Sequence, residues 1–445
     1  MVDWKEHYRQ HLVSMDAVVS DVKDGDALWF GAAPEIPYSM LEKLHDRMDE
    51  LHDVTLLYNV MNYPTSLVFD EEAGKHFNFV SMFCLPLERM AAEYGNAPFH
   101  SCPFEFIPRT AVDVYKCNTV AINVCPPDEE GYVNIGIYGV SASGLIASDP
   151  RVAKKIAIID HNQPAAGGSR EQVCLKITDF DNIVECDSEP QEVPGHGPTE
   201  LDEKIASHVI PYIHDGDKLQ VGYGGLGDAI LAGLHGRIKH LDIYSEVCSE
   251  SMQPLVESGV VDTLRFCSSG VGSPSFYRFL AENPKVDMRN IKEMIEPISI
   301  GNQDNIVAVN STFMVDLSGQ ACSEAQGIDQ YSAVGGQFAY MYGAIRSKGG
   351  RSFLCLRSTH KDHDGETHSN IVPWLPEKSV VTTPRYLMMY IVTEYGVADI
   401  FLKTLKERAV ALVQIAHPDY RKQLKEDIIA NTDYVMEADF EDIEL

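Results

Sequence analysis

The sequence predicts an α/β protein built from two similar open sheets of mostly parallel strands. Two observations support this fold class. Short apolar segments alternate with helix-like segments along the 445 residues, and the order of elements in the first half returns in the second. Alternation of this kind is typical of parallel sheets, because a helical crossover is needed to bring the chain back to the same edge.

The repeat is clearest around the second strand of each half. The tripeptide DGD opens both copies, and HDVTLLYNV (52–60) lines up with KHLDIYSEV (239–247). This match places Asn59 opposite Glu246. Only one copy carries a carboxylate there, as expected if one half performs chemistry while the other shapes the pocket.

The first half is read as a helix, a strand, a second helix and further strands, ending at a linker. Helices are predicted over 1–20 and near 38–48, and the predicted strands are 27–30, 54–58, 119–124, 131–140 and 155–159. The segment SEPQEVPGHGP at 188–198 holds three prolines and two glycines, a composition typical of linkers. It separates an N-terminal domain, residues 1–190, from a C-terminal domain, residues 198–445.

The second half repeats the strand and helix order with additional strands. Its predicted strands are 218–221, 240–244, 306–309, 313–317, 352–356 and 390–393, and its final helix lies near 404–413. A second glycine turn, Gly335-Gly336-Gln337, precedes a segment rich in aromatic residues.

A glycine-rich turn, 222–227, lies between a strand and a helix, and Glu246 follows the next strand. Ligands of open α/β sheets bind outside the carboxyl ends of the strands, so the turn and Glu246 should face one crevice. Three interpretations fit. The turn matches GxGxxG and could bind a dinucleotide. Glu246 could instead attack an activated acyl group while loop amides hold the oxyanion. Finally, the turn could serve packing and the acid could be solvated.

Composition excludes several classes of function. The 36 Lys+Arg against 66 Asp+Glu give a net charge of -30, which argues against nucleic acid or an anionic membrane as a partner. No apolar run reaches membrane-spanning length and the first residues lack a signal core. The 10 Cys lack CxxC and the 16 His lack paired ligand spacing. We therefore expect a cytoplasmic protein with reduced thiols and no metal.

The motifs together resemble the family I CoA-transferases, in the branch of acetyl-CoA hydrolase/transferases and 4-hydroxybutyrate or butyrate CoA-transferases. CPPDEEGYVNIG resembles the SPPD and GY segment of that branch, and VGYGGLGDAIL resembles its GIGGIPDAVL loop. LDIYSEV resembles LGIHSEM, whose glutamate is the nucleophile and corresponds to Glu246. Counterparts of YSAVGGQFAYMYGA, VTTPR, VTEYG and IAHPDYR extend the resemblance over nearly the whole chain.

The resemblance implies the NagB/RpiA-like fold and a ping-pong transfer of CoA from an acyl-CoA to a free carboxylic acid. The path runs through a glutamyl-CoA thioester on Glu246, with Glu250 and Glu394 as rival acids. No bound cofactor is expected, since the CoA thioester is itself the substrate, and a homodimer or homotetramer is implied. The expected CoA-binding residues are Gly222, Tyr223, Gly224, Gly225, Leu226, Gly335, Gly336 and Lys348. The expected acyl pocket is formed by Gln337, Ala339, Tyr340, Met389 and Tyr244.

Several positions depart from the family pattern. Gly227 replaces a usual proline, while Tyr244, Ala339 and Met389 replace residues that are usually polar. With Tyr340 and Tyr342 nearby, these changes favour an apolar pocket and a planar arylacrylate or arylpropionate acid, such as cinnamate or caffeate. The alternative is a short-chain enzyme for acetate, butyrate or 4-hydroxybutyrate whose packing residues have drifted.

Overall fold

The computed structural model describes residues 3–96, 99–188, 197–268 and 270–441. Residues 189–196, most of the predicted linker, lie outside the described residues. Within the described ranges, every helix is too short or too polar to span a lipid bilayer.

Twenty-five strands are assigned in the described chain. Those of the first half are β1 Ala27–Trp29, β2 Val54–Tyr58, β3 Phe77–Ser81, β4 Thr119–Val124, β5 Tyr132–Asn134, β6 Lys154–Ile159, β7 Cys174–Lys176 and β8 Asn182–Glu185. Those of the second half are β9 Lys218–Val221, β10 Leu241–Ser245, β11 Cys248–Ser249, β12 Val261–Phe266, β13 Gly270–Val271, β14 Val286–Met288, β15 Ile306–Ser311, β16 Met314–Asp316, β17 Ala321–Cys322, β18 Ala325–Gln326, β19 Asp329–Gln330, β20 Arg351–Cys355, β21 Thr359–Lys361, β22 Thr367–Ser369, β23 Ile371–Val372, β24 Tyr390–Thr393 and β25 Gly396–Asp399.

The two main sheets have the same strand order. The first runs β3-β2-β1-β4-β6-β8, and the second contains β12-β10-β9-β15-β20-β24 with β14 and β25 added at its edges. Strand pairing is parallel throughout, except between β24 and β25. The prediction of two similar open α/β units with mostly parallel sheets is therefore confirmed. Each sheet reverses its strand order at one point, between β1 and β4 or between β9 and β15, where a crevice is expected.

Two segments expected in the main sheets lie elsewhere. Of the predicted strand 131–140, only β5 is extended. It pairs antiparallel with β7 in a separate ribbon, and the chain then turns into a short helix at Gly136–Gly139. Gly136 has φ +74°, a conformation that ends the strand and that glycine adopts without strain. Strand β16, within the predicted strand 313–317, joins a small side sheet with β17 and β23.

Seventeen α-helices accompany the strands in the described ranges. They are α1 Trp4–His11, α2 Met15–Ser20, α3 Tyr38–Asp46, α4 Pro86–Glu93, α5 Ile107–Arg109, α6 Gly136–Gly139, α7 Ser143–Ala147, α8 Arg170–Val173, α9 Glu200–Val209, α10 Gly225–Leu234, α11 Gln253–Glu257, α12 Pro274–Glu282, α13 Ile291–Met294, α14 Pro297–Gly301, α15 Gln337–Arg346, α16 Leu405–Ile415 and α17 Pro418–Asn431.

Helix starts follow their capping residues. The predicted helix 1–20 is two helices, because Ser14 caps the second one by accepting a hydrogen bond from the amide of Ala17. Thr199 and Thr404 cap α9 and α16 in the same way, each with an acid three residues later that bonds back to the cap amide.

The two halves share one hydrophobic core. Alternate residues of a strand point to opposite faces of its sheet, so Leu28 packs beneath α2 and α3 while Trp29 faces the second half. The cluster around Trp29 continues through Ile122 to Val221 and Ile243 of the second sheet. A third cluster, which includes Met341 and Leu412, covers the outer face of that second sheet. Both main sheets are thus buried on both faces, as parallel sheets usually are.

A buried carboxyl group lies in this shared region. Glu35 is fully buried, and one of its oxygens accepts hydrogen bonds from the Ser143 hydroxyl at 2.8 Å and the Ala32 amide at 3.2 Å. The indole of Trp29 in turn donates to the Ser143 hydroxyl at 2.8 Å. The other carboxyl oxygen, Oε1, has no hydrogen-bond partner among the described residues. Burial raises the pKa of Glu35 to about 8.

We expect Glu35→Gln to remove a pH-dependent loss of stability. A carboxyl whose pKa is raised on folding stabilises the fold fully only below its unfolded pKa, and that stability is lost as pH rises to the folded value. For Glu35 this window runs from the ordinary glutamate pKa of 4.5 to a pKa of about 8. The free energy of unfolding of Glu35→Gln, minus that of the wild type, should therefore grow between pH 5 and 8 by up to about 1.4 kcal/mol per pH unit.

Denaturant unfolding at half-unit pH steps measures this difference. Glu426→Gln is a suitable control, because Glu426 is exposed and pairs loosely with Lys422 at 3.9 Å. A difference that stays constant from pH 5 to 8 would show that Glu35 is ionised in the folded protein.

Candidate active site

Glu246 lies at the carboxyl edge of the second sheet, one residue beyond β10. Its backbone carbonyl accepts hydrogen bonds from the amides of Ser268 at 2.8 Å and Cys267 at 3.3 Å, which follow the neighbouring strand β12. The Ser245 hydroxyl donates to the carbonyl of Val221 at the end of β9. Three adjacent strand ends therefore hold the main chain at Glu246, so its side chain projects from a rigid base.

The second glycine turn contacts the Glu246 carboxylate directly. The backbone of Gly336 lies against this carboxylate, and hydrogen bonding from it lowers the pKa of Glu246. A Cβ atom placed on Gly336 would lie only 2.1 Å from Glu246 Oε2, so any larger residue would displace the acid. Gly335 before it has φ +54°, which favours glycine. From the sequence we predict that these two glycines allow a ligand to approach the main chain closely. In the structure, the group that approaches Gly336 is the Glu246 carboxylate.

The surroundings of Glu246 raise the pKa of its carboxyl group toward neutral pH. Burial raises the pKa of Glu246 to about 7, and the negative charge of Glu105 acts in the same direction. The hydrogen bond from Gly336 opposes both by stabilising the ionised form. A pKa near the operating pH is common for groups that act in catalysis.

The N-terminal half supplies residues that the sequence did not single out. The Phe104 amide donates to the Gly335 carbonyl at 3.4 Å, and the Phe83 ring would lie 3.3 Å from a Cβ on Gly335. Glu105 follows Phe104 in a short 3-10 turn, Phe104–Phe106. No spacing rule connects these residues with Glu246, because the contact is made between the two halves of the fold.

Asn59, the counterpart of Glu246 in the repeat, follows β2 in the first sheet. It is buried, and its side-chain carbonyl oxygen has no hydrogen-bond partner among the described residues. Its backbone carbonyl accepts a hydrogen bond from the Ser81 hydroxyl, which also contacts the carbonyl of Phe83. Asn59 is thereby linked to the loop that packs on Gly335.

The first glycine loop divides into an open part and a packed part. Added Cβ atoms at Gly222 and Gly224 would meet nothing within 4 Å, whereas one on Gly225 would lie 2.7 Å from Asp202 and one on Gly227 2.3 Å from the Gly222 carbonyl. The first two therefore leave room for a ligand, and the other two serve packing. Tyr223 between them is 42% exposed.

A groove of about 770 Å³ opens beside this loop. It lies over the carboxyl ends of β15 and β20, next to the point where the strand order reverses between β9 and β15. Its lining includes Leu226, Ser311, Phe313, Arg357, His360 and Lys361. A volume of this size is typical of small-molecule and cofactor sites.

Four of the expected acyl-pocket residues lie near one another but are largely committed to packing. Gln337, Ala339, Tyr340 and Tyr244 are all buried. The Tyr244 hydroxyl donates to the Glu293 carbonyl at 3.2 Å. Tyr340 carries a buried hydroxyl without a hydrogen-bond partner among the described residues, and its ring lies against Gly336.

Two predicted site residues are on the wrong side of the sheet. Lys348 is exposed and precedes β20, and Met389 precedes β24. Because both strands run parallel to β10, residues before them lie at the amino edge, opposite Glu246. Tyr342 lies two residues after Tyr340 on α15 and therefore on the opposite face of that helix, where its ring stacks on Phe338. The apolar wall expected from Met389 and Tyr342 is therefore not formed.

The two rival acids have structural partners. Glu250 accepts hydrogen bonds from the amide and hydroxyl of Ser273, at the start of α12. Glu394 accepts from the amide and hydroxyl of Ser358 at 2.9 and 2.6 Å. Both carboxylates are occupied in loop and helix capping, whereas the Glu246 carboxylate lies against the Gly336 backbone.

Comparisons with known proteins identify the family of this chain. Residues 272–428 match the family described as "Acetyl-CoA hydrolase/transferase C-terminal domain". The chain is 32% identical to a succinyl-CoA:cyclohexane-1-carboxylate CoA transferase of Geobacter metallireducens, over 95% of this chain and 96% of that protein. It is 31% identical to a butyryl-CoA:acetate CoA-transferase of Anaerostipes caccae, over 96% and 97% of the two chains.

A solved structure shares the complete architecture. The 4-hydroxybutyrate CoA-transferase of Porphyromonas gingivalis superimposes with a TM-score of 0.78 at 28% identity, covering 97% of this chain and all of the other. Identity above 30% over almost the full length, together with the matched family, supports one assignment. The chain belongs to the acetyl-CoA hydrolase/transferase family of CoA-transferase enzymes.

Proposed function

We propose that this enzyme moves CoA from an acyl-CoA to a free carboxylic acid, with Glu246 as the nucleophile. The observation that carries the proposal is the position of its carboxylate at the carboxyl edge of the sheet, against the Gly336 amide. A carboxylate in this position can form a covalent intermediate with an acyl group.

The proposed reaction has two balanced halves. A Glu246 oxygen attacks the thioester carbonyl and the C–S bond breaks, which forms a mixed anhydride of Glu246 and the acid and releases CoA as a thiolate. The thiolate attacks the glutamyl carbonyl, the anhydride C–O bond breaks, and the first acid departs as a carboxylate. A second acid then reverses both steps and leaves as the new acyl-CoA. The Gly336 backbone lies against the Glu246 carboxyl, so its amide can stabilise negative charge on the glutamyl carbonyl oxygen when the thiolate attacks.

We place CoA in the groove beside the first glycine loop. The open positions Gly222 and Gly224 allow the ligand to approach the main chain, and Leu226 lines the groove. Its charged lining includes Lys361 and Arg357, the second of which also pairs with Asp202 at 3.4 Å, together with Asp362. Guanidinium and ammonium groups both suit phosphate recognition. Lys348 is not part of this proposal, since it lies at the opposite edge.

A short-chain or hydroxy acid is the best-supported acceptor. The relatives named for butyrate, acetate and 4-hydroxybutyrate support it. The arylacrylate hypothesis depended on an apolar wall that included Met389 and Tyr342, and neither side chain lies beside Glu246. A relative named for cyclohexane-1-carboxylate makes a cyclic aliphatic acid the second candidate.

We further propose that residues 1–190 and 198–445 act as two domains, the first shaping the pocket and the second carrying the nucleophile. The shared core between them favours a fixed relative orientation. Assembly as a homodimer or homotetramer is a prediction from the family resemblance.

Trapping the intermediate tests the assignment of Glu246. Incubation with acyl-CoA should form a glutamyl thioester, and borohydride should then reduce that thioester to an alcohol and release CoA thiol. Peptide mass spectrometry should place the modification on Glu246. Glu246→Ala should lose nearly all transfer, and Glu246→Asp most of it, because shortening by one methylene displaces the attacking oxygen by about 1 Å.

Glu250→Gln and Glu394→Gln are the matched controls, and both should still be labelled at Glu246. Initial rates should give parallel double-reciprocal lines, since the first acid leaves before the second binds. Labelling of Glu250 or Glu394 in the wild type, or intersecting lines, would count against the covalent path through Glu246.

The pH dependence of the first half-reaction should report the ionisation of Glu246. Only the carboxylate form can attack, and burial raises the pKa of this group to about 7. We expect kcat/KM for the acyl-CoA to rise about tenfold per pH unit on the acid side and to level off above about pH 7. Rapid-quench measurement of the first acid, released from an acyl-CoA that is labelled in its acyl group, measures this half-reaction. A profile that is flat from pH 5.5 to 8 would contradict it.

Gly336→Ala should abolish most activity while leaving the fold intact. The backbone at Gly336, with φ -90°, accepts alanine, but the new methyl group would displace the Glu246 carboxylate. A displacement of this size is expected to lower kcat/KM by about 100-fold or more. The melting temperature, measured beside activity, should change little, because the acid is partly exposed and can move.

Gly222→Ala provides the comparison, because its added methyl group meets no protein atom within 4 Å. A rise in KM for acyl-CoA in that variant would report the approach of the ligand to the loop. Near wild-type activity in Gly336→Ala would show that the contact between Glu246 and Gly336 is dispensable.

A further inference from the structure

A hairpin that follows β20 gathers two histidines and two acids on one of its faces. Its strands β21 and β22 pair antiparallel, with His360 directly opposite His368. The pairing continues one step toward the turn, where the Asp362 amide donates to the Glu366 carbonyl at 2.9 Å. Residues that are directly opposite, or two apart on one strand, project from the same face. These four side chains therefore share one face of the hairpin.

The side chains on this face lie at distances that suit a common ligand. The candidate ligand atoms of Asp362, Glu366 and His368 all lie within 4.8 Å of one another. The closest of these distances that involves His368 is 2.7 Å, from its Nε2 to Asp362 Oδ2. Two atoms that bind one Zn²⁺ at about 2.0 Å in a tetrahedral site are about 3.3 Å apart, a separation between those two values. The ring of His360 lies 5.6 Å from that of His368, centroid to centroid, and can supply a fourth ligand.

Hydrogen bonds from other groups orient two of these side chains. His360 Nδ1 lies 2.6 Å from the side-chain Oδ1 of the buried Asn370, which leaves Nε2 as its ligand atom. Asp362 Oδ1 accepts from the amides of Asp364 and Glu366 at 3.0 and 2.9 Å, which leaves Oδ2 for an ion. Metal-binding histidines and carboxylates are commonly oriented by such hydrogen bonds.

The same face opens into a cleft that an ion can enter. The cleft has a volume of about 510 Å³ and lies between the hairpin and α17, with His360, Asp362 and His368 in its lining beside Tyr420 and Asp427. The Tyr420 hydroxyl donates to the main chain of β22 and ties the hairpin to α17. The side chains of His368 and Asp362 are 47% and 35% exposed. An ion therefore reaches them without any opening of the fold.

We propose that this face of the hairpin is a binding site for a divalent transition-metal ion of the zinc class, with Asp362, Glu366, His368 and His360 as its ligands. Imidazole together with carboxylate suits Zn²⁺ or Co²⁺, whereas Mg²⁺ and Ca²⁺ take oxygen ligands. The expectation of a protein without metal rested on spacings along one element of the sequence. These ligands come instead from two paired strands.

The proposed metal site is separate from the site at Glu246. The hairpin follows β20, and three strand spacings separate β20 from β10, which precedes Glu246. At about 4.8 Å per spacing, this is about 14 Å. The ion therefore takes no part in the acyl-transfer steps proposed above, and it holds together the two strands of a hairpin that borders the neighbouring groove. The inference does not depend on the proposed function and is tested without turnover.

Metal binding by the complete chain tests the site directly. Protein without an affinity tag is treated with a chelator, dialysed and titrated with Zn²⁺ alone in a calorimeter. We expect the wild type to bind one equivalent per chain. Co²⁺ in place of Zn²⁺ should give visible bands of a nitrogen and oxygen site without a thiolate charge-transfer band, which would exclude the 10 Cys as the ligands. Zn²⁺ should also raise the melting temperature, because it binds the folded chain.

Two substitutions remove proposed ligands, and a third is their matched control. His368→Ala and Glu366→Gln should each weaken Zn²⁺ binding by about tenfold or more, since loss of a group that only orients a ligand already has an effect of this size. His363→Ala should keep the wild-type affinity, because His363 lies in the turn of the same hairpin, is 98% exposed and contacts Asp364. Melting temperatures of the metal-free proteins establish that each variant is folded.

The results expected of a specific site differ from those of scattered surface binding. A Zn²⁺ affinity within twofold of the wild type in both His368→Ala and Glu366→Gln would overturn the proposal, as would a wild type without saturable binding. A loss in His363→Ala as large as that in His368→Ala would also count against it, because binding would then depend on exposed histidines in general.

Discussion

The contact between the Glu246 carboxylate and the Gly336 backbone is the constraint on which the site depends. It requires a residue without a side chain at the start of α15, because a Cβ there would come within 2.1 Å of the acid. It also requires the ends of β9, β10 and β12 to be held in register, which the hydrogen bonds from Ser245, Cys267 and Ser268 achieve. The acid is thereby positioned before any substrate arrives, which lowers the reorganisation needed during attack.

The two halves have the same strand order but contribute differently to the site. The end of β10 carries Glu246, while the equivalent end of β2 carries Asn59, whose amide cannot act as a carboxylate nucleophile. The first half instead packs Phe83 and Phe104 on Gly335, and the charge of its Glu105 raises the pKa of Glu246. In the function proposed above, one copy of the fold supplies the nucleophile, and the other supplies a wall and part of the low-dielectric surroundings.

Burial of acidic groups is a recurring feature of this molecule. Glu35, Glu105 and Glu246 all have pKa values raised by burial, and oxygens of the first two lack partners in the described chain. Such groups lower stability at neutral pH. Proteins tolerate this cost most readily where activity needs it. The large shared core that joins the two sheets offsets it here.

The sequence by itself determined the α/β class, the repeat and the position of Glu246 at a strand end. Each of these follows from local periodicity and turn residues, which act over a few positions. The sequence also indicates that Lys348 and Met389 lie at the amino edge of the sheet, since both precede parallel strands. Their assignment to the site followed the family resemblance instead. Only the tertiary structure decided that Gly336 contacts Glu246 and that the charge of Glu105 raises the pKa of this acid. Such contacts join segments far apart in the chain, and they depend on how two sheets pack rather than on any spacing along the sequence.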